Sequence, residues 1–248
     1  MSVSTLSEKR KAEISLAVKQ VYELAGLDVD SFTSGIVPLN KIINSLPYSL
    51  VVEEEENLTY ERAENFLSEQ LGTTINIVGE PEKKLAGFLC AYESEEGSLD
   101  GCVLVNKADI VARRRFSVGH EFGHYVLHFL PKLQQKQEDA ISEFIVISEG
   151  LTYSEKAESI GDRPSGCVQP QGIKLTQSID EMEEEANFFA AELLMPAVAC
   201  EALAMRYRRR FGVKREVLAG RLASEFLVSP PAMKRRLKEL NLPEKLAA

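Results

Sequence analysis

The chain has 248 residues, 44% of them hydrophobic, enough for one large domain or for a domain with a small appendage. Its net charge of −9 is uneven, because Met205 to Asn241 holds eleven Lys/Arg against three Asp/Glu and forms a basic tail on an acidic body. The N-terminus is polar where a signal peptide would be apolar, no run approaches the roughly 20 apolar residues of a membrane span, and the four cysteines form no Cys-x-x-Cys pair. The expectation is a soluble cytoplasmic protein with reduced thiols and no membrane partner.

Thr5 to Leu24 spaces Leu6, Ile14, Ala17, Val18, Val21 and Leu24 between charges, which predicts an amphipathic helix ended near Gly26. A short helix is expected over Pro38 to Leu46, stopped by Pro47. Tyr48 to Val52, Thr74 to Val78, Leu85 to Tyr92 and Gly101 to Asn106 are rich in β-branched or apolar residues and predict strands, with a helix at Leu58 to Leu71. These make a small, mostly antiparallel sheet in an α+β fold. Glu93 to Gly101 closes a hairpin on which Cys90 and Cys102 are read as neighbouring thiols and not as a disulfide.

Asp109 to Leu130 predicts the next helix, with Phe116, His120, Gly123, Leu127 and Leu130 as one buried stripe and Pro131 as its stop. It carries all three histidines. Two of them bracket a glutamate in His120-Glu121-Phe122-Gly123-His124, and positions i and i+4 of a helix share a face, so both imidazoles can reach one ion while Glu121 stands beside it. Gly119 and Gly123 each cost about 1 kcal/mol relative to Ala inside a helix, which implies a close neighbour there. His128 sits about 12 Å along the axis from His120, too far for one ion to bind all three, and is read as supporting the site from behind or as core. Phe122 and Tyr125 are read as packing residues.

Pro131 to Gln177 is polar, glycine-rich and irregular, and predicts a long connection or lid. Ser178 with Glu181 fits a capping box opening a helix that runs to Met195. Glu181, Glu185 and Glu192 share a face read as exposed, where carboxylates favour the helix dipole. Glu183 instead aligns with Asn187, Ala190 and Leu194, beside the apolar stripe Met182, Ala186, Phe189 and Leu193, and a carboxylate there needs a partner. In the tail, Leu222 to Leu237 has the layout of a helix-turn-helix with Leu227 where a turn glycine is usual. Lys234, Arg235 and Arg236 are candidates for contact with phosphates or with an acidic partner, a helical pair that packs on the body or recognises a protein being favoured over one that reads DNA. The expected division is a body of residues 1–204, with 131–177 as its insert, and a basic region of residues 205–248.

Arg113 to His128, RRRFSVGHEFGHYVLH, together with Glu183 to Pro196, EEEANFFAAELLMP, resembles the ImmA/IrrE family of zinc metallopeptidases of the HExxH superfamily. The resemblance implies that His120, His124 and Glu183 hold one Zn²⁺, that Glu121 is the general base, and that Asn187 orients a ligand histidine as in gluzincins. It also implies an endopeptidase that inactivates a helix-turn-helix repressor. A zinc-containing antirepressor that binds without cutting is the alternative. Val103, Leu104, Val105 and Asn106 are read either as an edge strand that pairs with extended substrate or as an ordinary core hairpin. Tyr125 and Tyr153 are open candidates for stabilising an oxyanion. The 58 residues between His124 and Glu183 are longer than is usual for the family, and within them Cys167 is a minor candidate for a latency-conferring thiolate.

Overall fold

The computed structural model describes residues 6–32, 35–71, 80–93, 99–131, 145–149, 179–211 and 215–242. The strand expected at Thr74 to Val78, the capping Ser178, and Tyr153 and Cys167 of the insert lie outside them. Helix α1 (Glu8–Leu24) is capped by Ser7, whose hydroxyl accepts from the Arg10 N–H at 3.2 Å, and it ends where Gly26 turns left-handed at φ 65°. Ile14, Val18, Val21 and Tyr22 form its buried stripe. Short helix α2 (Leu39–Ile43) follows, then β1 (Leu50–Glu55), α3 (Tyr60–Leu71), β2 (Gly87–Glu93) and β3 (Leu99–Asn106).

Among the described residues the sheet has four strands in the order β1-β3-β2-β4, where β4 is Ile145–Glu149. The β2–β3 hairpin is antiparallel as expected, with Cys90 opposite Cys102 and both thiols unbonded. β4 pairs antiparallel with β2, whereas β1 lies parallel to β3 because α3 and β2 carry the chain across between them. β3 is therefore a central strand. The edge-strand reading of Val103, Leu104, Val105 and Asn106 is corrected: β1 and β2 take up both of its hydrogen-bonding sides, and all four residues are buried. Leu104, with Phe88 and Cys90, faces a small cluster under α3, while Val103, Val105, Leu89 and Ala91 face the main core. Both faces are covered, so the strand reads as a continuous apolar run. β4 itself was missed in a stretch read as irregular, although Ile145-Val146-Ile147 carries β-branched side chains throughout.

The main core joins both ends of the chain. Helix α4 (Val111–His124) continues through a π-helical turn (Tyr125–Phe129) and packs against the sheet and against α5 (Ile179–Leu194). A Cβ on Gly123 would lie 3.1 Å from the Phe189 ring and 3.2 Å from the Ala186 backbone, which is why no larger residue stands there. Gly119 faces Leu194 more loosely, at 3.3 Å. Helices α6 (Ala197–Phe211), α7 (Arg215–Phe226) and α8 (Pro230–Glu239) complete the fold, and the division expected at residue 204 falls inside α6. Leu222, Phe226, Met233 and Leu237 belong to the same core cluster as Ile14 and Val18. Between α7 and α8 the chain turns through Leu227 at φ 50°, and Ser229 caps α8.

Two charge assignments change. Arg236 is 2% exposed, donating to the Met195 carbonyl and to Glu192 at 2.8 Å, so it is a structural tie and cannot meet a phosphate; Lys234 and Arg235 are exposed. Glu192 is thus the partner of a buried guanidinium and not a solvated face residue. No single described helix is long and apolar enough to cross a membrane.

Candidate metal centre

Helix α4 presents His120 and His124 one turn apart, and α5 brings Glu183 against them across the Gly123 contact. The Nε2 atoms of His120 and His124 lie 3.0 Å apart. Glu183 Oε2 is 3.3 Å from His120 Nε2, and its Oε1 is 3.2 Å from His124 Nε2. Four donors held tetrahedrally about 2.0–2.1 Å from a zinc ion stand about 3.3 Å from one another, so these spacings fit such an ion. Two neutral imidazoles and one carboxylate also supply the donor chemistry that zinc prefers, with a position left for water or substrate.

The surroundings set the charge states. Burial pushes the His124 imidazole down to about 4, only partly opposed by its contact with Glu183, so the ring is neutral near pH 7. Burial works to raise the Glu183 carboxyl, but its close contacts with the His120 and His124 rings outweigh it and hold the group well below the usual carboxylate range. His120 Nδ1 lies 3.2 Å from Asn187 Oδ1, one turn along α5 from Glu183. His124 Nδ1 lies 3.0 Å from His128 Nδ1, and His128 Nε2 lies 2.9 Å from Glu185 Oε2. Glu121 is fully buried, its carboxylate next to the start of β2, where a Cβ on Gly87 would approach Oε1 to 2.8 Å.

The exposed-face reading of Glu185 is corrected, since the residue is 2% exposed and is gripped by Arg10 of α1 through Nε–Oε1 at 2.7 Å and Nη2–Oε2 at 2.6 Å. One sequence signal pointed there. Glu185 stands three residues after Met182 and four before Phe189, an inward position on the stripe. Nothing in the sequence marked Arg10, 175 residues away, and Gly87 was passed over as a strand residue. Phe122 and Tyr125 are core, Phe122 edge-on to Phe189 at 5.6 Å and Tyr125 buried under Gly101.

Fold and site together define an α+β protein with a buried His-His-Glu candidate metal centre. A family model, Peptidase_M78, described as the IrrE N-terminal-like domain, matches residues 173–238. The matched segment contains Glu183 and Asn187 and ends in α8, whereas His120, Glu121 and His124 precede it. No curated protein matches the chain significantly. The match to a peptidase family model and a metal-compatible triad together support a metalloprotease.

Proposed function

We propose that the protein is a zinc-dependent endopeptidase, with His120, His124 and Glu183 as the ligands of one Zn²⁺ and Glu121 as the general base. The observation that carries this reading is the convergence of the two Nε2 atoms, 3.0 Å apart, with a Glu183 oxygen within 3.3 Å of each, across two helices 59 residues apart in sequence, His124 to Glu183. A zinc ion bound there supplies a Lewis acid that acidifies water and polarises a carbonyl oxygen. Glu121 accepts the proton of the attacking water and hands it to the departing amine. Asn187 accepts from His120 Nδ1–H and so presents Nε2 as a lone pair toward the site. β4 is the better candidate for pairing with extended substrate, because its side away from β2 has no partner strand among the described residues.

For substrate we infer a helix-turn-helix repressor in the cytoplasm, cut to relieve repression. The region 205–248 serves in this reading as a helix-turn-helix-like recognition surface, with Lys234 and Arg235 toward an acidic protein partner in preference to DNA. The test is incubation of the purified chain with the repressor encoded beside it. Fragments that appear with zinc and vanish with a chelator are expected; an intact, stable complex in both conditions would favour the non-proteolytic antirepressor instead.

A further inference from the structure

We propose that Arg10 and Glu185 are positioning residues which, through His128, fix the ring tautomer of His124, making the N-terminal helix a working part of the metal centre. The inference rests on the zinc reading above. Its starting point is the guanidinium of Arg10, which is always protonated and meets both oxygens of Glu185 through two parallel hydrogen bonds, at 2.7 and 2.6 Å. Glu185 is thereby an anion that only accepts. His128 Nε2, 2.9 Å from Glu185 Oε2, therefore carries a proton and donates it.

The two Nδ1 atoms of His128 and His124 lie 3.0 Å apart, so one of them carries the proton between them; in the proposed order His128 keeps a single ring proton on Nε2 and offers a bare Nδ1. His124 must then be the donor, which leaves its Nε2 as a lone pair facing Glu183 and His120. The opposite order would set a His128 lone pair against the Glu185 carboxylate. Ligand geometry thus follows from a residue on α1, which touches neither ligand histidine. The two histidines are set by different means: His120 by the neutral amide of Asn187, from the same helix as Glu183, and His124 by a chain of three side chains drawn from the π turn, α5 and α1. Outer hydrogen-bond partners of ligand histidines commonly change metal affinity about 10–100-fold when removed.

The experiment uses the full chain, with zinc affinity measured by competition against a chromophoric chelator and ring tautomers read from imidazole ¹⁵N spectra. In the wild type His124 is expected to carry its proton on Nδ1. His128→Phe should weaken zinc about 10–100-fold and Arg10→Gln about 10-fold. His128→Gln, whose amide accepts on one side and donates on the other, should recover most of the loss. Arg10 is 29% exposed, so Arg10→Gln is expected to leave the zinc-free melting curve close to wild type, which separates tuning of the site from loss of the fold. Wild-type zinc affinity in both Arg10→Gln and His128→Phe, or a His124 proton on Nε2, would overturn the proposal. A wild type that takes up no zinc defeats the metallopeptidase reading instead, and the spectra of the zinc-free chain still decide the tautomer.

Discussion

At the residue scale, the site is a balance between burial and a few specific hydrogen bonds. On the proposed mechanism, Glu121→Gln keeps the size of the side chain and removes its basicity, so it should retain zinc while lowering cleavage of the proposed repressor substrate by about 10²–10⁴-fold, measured as the initial rate of fragment formation. His124 gives a pH prediction for the metal-free chain. Its folded value is about 4 against an ordinary 6.5, so between these values the unfolded chain binds the proton and the folded chain does not. Stability should therefore be held above pH 6.5 and fall as pH drops from 6.5 toward 4, and melting temperatures across that window check it. The histidine motif was legible because its chemistry is local, five consecutive residues on one helix. Glu183 was legible only by resemblance, since a carboxylate beside an apolar stripe does not say which groups it meets. The Arg10–Glu185 pair was illegible because both its members resemble ordinary exposed helix residues until the tertiary fold closes over them.

At the element scale, glycines separate close approach from simple flexibility. A Cβ on Gly220 in α7 would meet nothing within 4 Å, so Gly220→Ala should stabilise the chain by about 0.5–1 kcal/mol. Gly123→Ala would press on the Ala186 backbone, which cannot step aside without parting α4 from α5, and should destabilise by about 1–3 kcal/mol despite the same gain in helix propensity. Urea unfolding of the two variants compares them directly. Helices α1, α3 and α4 and the β2–β3 hairpin could be read from periodicity and turn residues, because those signals are short-range. Strand order could not. Nothing within Gly101 to Asn106 states that β1 lies beside it, and a five-residue strand such as β4 is too short to stand out from a long polar stretch.

At the scale of the whole molecule, the C-terminal helices are bound to the body by apolar packing and by one buried ion pair. Arg236→Ala would strip Glu192 of its partner and open a gap between α5 and α8, so a loss of about 3 kcal/mol is expected from chemical denaturation. If α8 instead met its partner through Arg236, the same variant would fold normally and lose binding alone. The basic tail looked separable by charge composition, yet its apolar residues share one cluster with those of α1.

The parts of the candidate metal centre come from three separated stretches of the polypeptide: Arg10, then His120 to His128, then Glu183 to Asn187. During synthesis the histidine helix leaves the ribosome some 60 residues before its carboxylate does, at roughly 5–20 residues per second. For those several seconds the nascent chain holds two imidazoles without the third donor. Completion of the proposed ligand set thus waits on translation of α5, and on that reading a message broken before codon 183 should yield a harmless fragment in place of an unregulated protease.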